Sequence, residues 1–392
     1  MKNRLEIRVL TIVLLMFTVA KSTDESSFLL KDSTVEGITK VGFELKDLSF
    51  SRDGTDTHLL IKGAGMTVVT GMPELPVFTT LFQLKDGIGY NITYNIIRSH
   101  VVNDITISPA QEVKFRKEDG NQILERNVDY YNSNAIFPAE NISISEPMIM
   151  RGLEVATVSL IPFIYHANEK SLEVFDEVEI SITESGIRES SQRQLPPSRS
   201  FEKLYESMVI NYERNVWEND YQQPAILYIC GGSSETHSAF LQLIEWRHKR
   251  GYVVYTASTS LTGSSSSQIK NYIENAYETF DPPPEFVGLV GDVGGSYGIP
   301  TYTENWSWYN GEGDHPYSQL DGDDLLPEVL IGRLSASSGN HLSIIVSKTV
   351  NYEKATYIDQ TGTDWYESAG LVGDPSSSGL STMITNEYIE NI

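Results

Sequence analysis

The chain of 392 residues contains a single cysteine, Cys230. That excludes an intramolecular disulfide and any cysteine-based zinc centre, so this is not a small disulfide-stapled module. Positive charge is also scarce: 29 Lys and Arg face 53 Asp and Glu, a formal net charge of −24. A surface of that sign repels phosphate backbones and anionic headgroups, which argues against nucleic acid and membrane as partners. After the first residues no apolar run is long enough to cross a bilayer, which takes about 20 residues. At the start, Lys2, Arg4 and Arg8 precede an apolar stretch over 9–20. With Ala20-Lys21-Ser22 as a small-x-small cleavage site, residues 1–22 read as a signal peptide. The mature chain is expected to be exported and free of the membrane.

What is present is ordinary globular material. Hydrophobic residues make up 40% of the chain, enough for two to three domains with cores of their own. Over 28–185 the pattern is short, alternating and turn-punctuated. Val178, Ile180 and Ile182 alternate with Glu177, Glu179 and Ser181, a half-buried strand. The run 156–165 reads as a second strand, joined to it through the turn 167–170, and 91–99 and 105–107 as further strands. An all-β sandwich-like domain is the economical reading. Asn91, Asn141 and Asn305 open Asn-x-Ser/Thr triplets, acceptors only in a host that glycosylates.

Residues 186–222 turn to Ser, Arg, Gln and Pro, followed by a short amphipathic piece over 201–212, with Arg188, Arg193, Arg199 and Arg214 in or near polar sequence. They read as an exposed linker, where proteases nick. From 223 the period changes. Strands at 225–230, 252–257, 286–292, 328–334 and 368–374 alternate with helices from Ser238, over 269–280, over 342–350 and from Gly379. That alternation predicts a mostly parallel sheet covered on both faces. Two strands end alike, at Asp292 and Asp374, each placing a carboxylate at the carboxyl edge where open α/β sheets hold their sites, or merely forming a turn. Asp321, Asp323, Asp324 and Glu328, with Gly322 for a tight turn, gather hard oxygens of the kind calcium takes six to eight of. From the residues alone, a solvated acidic turn is the competing reading. Cys230 with His237 seven residues on could form an activated thiol, but a lone Cys ending an apolar strand more often serves as a small core hydrophobe.

Several segments in order carry a resemblance: 225–232, 244–251, 286–292, 314–335 with its Asp-rich turn, 351–354, and Gly71-Met-Pro-Glu-Leu-Pro76 in the β-rich half. Together they resemble the gingipain-type cysteine peptidases and their propeptide. The resemblance implies a multidomain chain, with a β-rich propeptide over 28–185, a linker, and an incomplete caspase-like α/β domain over 223–392. It implies a secreted endopeptidase zymogen, outside a bacterium or on its surface, acting on proteins or peptides and holding its propeptide intramolecularly. The family's dyad pairs a Cys with the His of a His-Gly turn. None of the seven histidines precedes a glycine and Cys230 comes too early in the topology, so the dyad is expected beyond Ile392 and this chain is expected to be inactive. Asp374 resembles the acid beside the catalytic His. A structural calcium is implied on the carboxylates of Asp292, Asp324 and Glu328 and the carbonyls of Asp321 and Leu326. The runner-up is a non-catalytic secreted calcium-binding interaction or adhesion module on the same fold.

Overall fold

The structure, a computed structural model, describes residues 27–31, 36–61, 63–111, 124–189, 193–214, 217, 220–306, 309–355 and 370–371. Residues 1–22, Asp374 and the helix expected from Gly379 lie outside them.

The first half is a sandwich of two sheets. One is built on three long antiparallel neighbours: β1 (Ile38–Glu44), β3 (Ile88–Val102) and β7 (Ser171–Ile187), with β6 (Phe163–His166) continuing beside β7. The other pairs β2 (Pro76–Gln83) with β5 (Leu153–Leu160), and β5 with the short β4 (Met148–Met150). The period-2 pattern sets the inner faces: Val178, Ile180 and Ile182 of β7 meet Phe78, Phe82, Ala156 and Val158 from the opposite sheet.

The expected single strand 156–165 is in fact two strands in different sheets. Pro162 has no N–H for a ladder, so the pairing stops there and the chain crosses between sheets. Residues 105–107 form no strand; Ile107 makes one isolated bridge to Thr57. Asn141 is no glycan acceptor in the folded chain, because its buried amide donates to the carbonyls of Ile161 and Phe163.

A helix, α1 (Arg199–Met208), follows. Ser198 caps it by accepting from the Phe201 N–H at 3.2 Å, and Phe201 and Tyr205 bury against Leu81, Met148, Met150 and Val155 of the second sheet. Beyond it lies a four-stranded parallel sheet, in the order β9 (Val253–Ser258), β8 (Ala225–Cys230), β10 (Phe286–Val290), β11 (Leu330–Leu334). Helices α2 (Ser238–Lys249) and α4 (Gly339–Glu353) cover one face through Phe240, Leu243, Leu342 and Val346. The helix α3 (Ser266–Thr279) covers the other through Ile269, Ile273 and Ala276. The order of strands reverses between β8 and β10, the position where such sheets open a crevice. Here the crevice is closed by backbone: a Cβ on Gly231, Gly232 or Gly291 would stand 2.2, 2.1 or 1.9 Å from the Tyr297 or Ser296 carbonyl oxygen.

Candidate functional site

Cys230 ends β8 fully buried, among Phe240, Val290 and Leu342. Burial, with the Glu235 carboxylate nearby, pushes its thiol up to about 12. His237 serves the backbone, its Nδ1 accepting from the Ala239 N–H at 3.3 Å. The pair therefore makes a core thiol and a helix cap, with no thiolate at neutral pH.

The acidic turn is more than a solvated loop. Glu328 is fully buried, and its Oε2 accepts from the Leu320 and Asp321 N–H groups at 2.6 and 3.2 Å. Its Oε1 has no partner, and neither does Asp321 Oδ2; both atoms are buried. Burial pushes Glu328 up to about 8, and the carboxylates of Asp324 and Asp321 add to the rise. Asp324 accepts from the Ile149 N–H through Oδ2 at 2.8 Å and from the Leu326 N–H through Oδ1 at 2.7 Å. Burial raises this carboxyl too. Gly322, at φ +75°, makes the turn possible.

Asp292 stands apart from this use of side chains: its Oδ1 accepts from the N–H of its own neighbour Val293 at 2.9 Å. Leu326 points its side chain into the core shared with Met148, Met150 and Phe201. Among the described residues no group of three His, Cys, Asp or Glu side chains is arranged to hold a metal. The two unpartnered buried oxygens nevertheless have the donor chemistry of a hard-cation site.

Three arginines escaped the sequence reading of sites. Arg333 in β11 forks onto Asp314, Nε to Oδ2 and Nη2 to Oδ1, both at 2.7 Å, and reaches the Gly291 and Ile299 carbonyls. Arg193 pairs with Glu278 at 2.7 Å and with Asp321 at 3.4 Å. Arg151 is 4% exposed and sits at the tip of the β4–β5 hairpin, with its guanidinium inside the α/β half. For Arg151 and Arg333 a charged residue inside or between apolar runs was the available signal, since a buried charge needs a partner; Arg193, in polar sequence, carried none.

The residues 186–222 also differ from an exposed linker. Arg188 donates to both carboxylate oxygens of the buried Glu154 and to the Ile88 carbonyl. Arg199 and Arg214 stack on the Tyr221 ring. Over 193–212 the described residues form a strap lying on the protein, because Phe201, Tyr205 and Val209 bury and Arg193 finds an acid and a ring.

The molecule is thus a β-sandwich strapped onto a parallel α/β sheet and touching it at an acidic turn. The chain belongs to peptidase family C25: that family's model matches residues 219–392, and the model of its propeptide matches residues 22–218. Gingipain R1 of Porphyromonas gingivalis is 24% identical over 376 residues, 92% of this chain and 36% of that protein. Gingipain R2 of the same organism is 23% identical over 375 residues, 91% and 49%. Lys-gingipain, also of that organism, is 25% identical over 370 residues, 86% and 20%. The chain therefore spans at most about half the length of these relatives. A solved complex of the Porphyromonas gingivalis RgpB pro- and mature domains aligns over 48% of this chain and 100% of its own, at 23% identity and a TM-score of 0.41.

Proposed function

We propose that this chain is the front part of a secreted gingipain-type cysteine endopeptidase made as a zymogen. Its first half would be the propeptide and residues 223–392 the start of the catalytic domain. The observation that carries this reading is the order of the two family matches, propeptide and then peptidase, which meet at residues 218 and 219. Export rests on the signal-like residues 1–22. Among the described residues no helix is long and apolar enough to cross a membrane. Since Cys230 is a buried thiol, hydrolysis of protein or peptide substrates would need a His-Gly turn and a cysteine encoded after Ile392, with Asp374 as an orienting acid.

Sequencing the gene past Ile392 tests the proposal. An open frame carrying His-Gly and then a cysteine supports it, whereas a stop codon at that point favours the non-catalytic calcium-binding module. Residues 1–392 alone should leave Arg- and Lys-based fluorogenic peptides intact, and turnover that disappears in Cys230→Ala would overturn that.

We further propose a structural calcium at the acidic turn, held by Asp321, Asp324 and Glu328, with Asp292 and the Leu326 carbonyl as the remaining positions the family resemblance names. The ion would supply charge neutralisation where Asp321 Oδ2 and Glu328 Oε1 lie buried without partners.

A further inference from the structure

The β4–β5 hairpin turns on Arg151 and Gly152, both in the left-handed region at φ +42° and +78°. A non-glycine residue adopts that backbone at a cost, and here the turn delivers one side chain across the boundary between the halves. The Arg151 guanidinium donates from Nη1 to the carbonyls of Pro284 and Glu328 at 2.8 and 3.0 Å. From Nη2 it donates to the Pro283 carbonyl at 3.3 Å and to Gln222 Oε1 at 3.4 Å. Gln222 is itself fixed, its amide donating to the same Pro283 carbonyl at 2.9 Å. The Tyr277 ring lies 5.7 Å from the guanidinium carbon on one side and Phe201 of the strap 5.2 Å away on another. Tyr205 of the strap locks the tip by donating to the carbonyls of Met150 and Arg151 at 3.0 and 3.1 Å. Burial disfavours the charged guanidinium, and the neighbouring Tyr277, Glu285 and Glu328 side chains oppose that.

We propose that the α/β half carries a guanidinium-binding cage, formed by the Pro283, Pro284 and Glu328 carbonyls with Gln222 and the Tyr277 face. Its occupant is Arg151 of the N-terminal half, and this contact is the anchor that holds the two halves together after the chain between them is cut. The inference rests on reading the first half as a propeptide. The physical reason is selectivity: neutral carbonyls arranged around a planar fork accept from two nitrogens at once, which an ammonium on a single point cannot match. Emptying the cage would strip the Pro284 and Glu328 carbonyls of this buried donor, while Gln222 would still serve Pro283. Asp324, which takes the Ile149 N–H two residues away, belongs to the same clasp.

The test uses the full chain with a specific protease site inserted at Trp217, which is 81% exposed. Cutting there leaves the strap with the first half. Nicked wild-type protein is expected to co-elute as one complex on size exclusion. Nicked Arg151→Ala is expected to bind its partner piece roughly a hundredfold more weakly, and Arg151→Lys to recover only part of this. Millimolar ethylguanidinium should restore association of the Ala variant, and ethylammonium should not. Should Arg151→Ala fail to fold, Arg151→Lys carries the comparison. Variants that associate as tightly as wild type, or an Ala variant that ethylguanidinium leaves dissociated, would overturn the cage while leaving the propeptide reading intact. A nicked wild type that falls apart would overturn both.

Discussion

Cys230 stands at the carboxyl end of a strand seven residues before a histidine, an arrangement with the sequence pattern of a nucleophile. What removes the chemistry is packing, because the thiolate loses its hydration and the thiol is held protonated to about 12. Ellman's reagent at pH 8 should therefore find no fast-reacting thiol in the folded chain and one in denaturant; one equivalent reacting within seconds in the folded state would contradict this. Glu285 shows the same physics in a carboxyl. It is 1% exposed, and burial raises its pKa although Ser198 and Arg151 oppose the rise. A raised folded value means that the fold prefers the neutral form. Its contribution is then fully present below the unfolded carboxylate value of about 4.3 and is lost as pH rises through the folded value. Glu285→Gln should flatten the fall of stability as pH rises above the unfolded carboxylate value in denaturant titrations, and an unchanged slope would assign that fall to other groups. Such roles were not legible in the sequence, since Glu285 looks there like any turn residue after three prolines. The acidic turn was legible as a cluster, but which of its oxygens stay unpartnered depends on backbone N–H groups brought from Leu320 and Ile149.

Elements were the most legible level, because their periods are local. The stripe over 269–280 gave α3, and Ser265 adds a capping box with Gln268. The strap shows where local signals stop. Its polar composition suggested exposure and its amphipathic piece a local helix, but not that Phe201 is fully buried and Tyr205 nearly so, nor that Arg188 and Arg193 are drawn to Glu154 and Glu278, presented by distant parts of the chain. Phe201→Ala should cost about 3–5 kcal/mol, the usual range for truncating a buried aromatic. It should also expose Arg199 and Lys203 of α1 to trypsin at low denaturant, whereas wild-type α1 resists. Equal cleavage rates in the two proteins would show that α1 is not held by this contact. Gly152 is a second element-scale test. A Cβ there would stand 3.0 Å from the Arg193 carbonyl on a backbone at φ +78°, so Gly152→Ala should destabilise by about 1–2 kcal/mol. An unchanged urea midpoint would mean that the hairpin tip and the strap do not lie together.

At the scale of the molecule, the acidic turn joins several stabilising contacts. Leu326 completes a core with Met150 and Phe201, Asp324 receives the Ile149 N–H, and Arg193 of the strap reaches Asp321. None of this could be read from periodicity, which says which face of an element is buried but not which distant element covers it. Here Asp321, Asp324 and Glu328 are drawn together by backbone amides and apolar burial; burial raises the cost of ionising Asp324 and Glu328, and the Asp321 carboxylate adds to both. Arg193 answers one oxygen of Asp321 and leaves the other buried without a partner, as is Glu328 Oε1. A divalent cation there would convert mutual repulsion into attraction and would bind the folded chain in preference to the unfolded one. At a hundredfold excess over its dissociation constant it would stabilise by about 2.7 kcal/mol. Calcium should outperform magnesium, which demands a tighter octahedron and keeps its waters. Thermal melts of the full chain in EGTA, calcium and magnesium measure this directly, and the calcium shift should vanish in Glu328→Gln and shrink in Asp321→Asn. Asp292→Asn distinguishes the two geometries still possible for the shell: loss of the shift would mean that Asp292 leaves its own turn to join the ion, and retention would confine the ligands to 321–328. Identical melting temperatures in EGTA and millimolar calcium would remove the ion from the account and leave Arg193 as the turn's counter-charge.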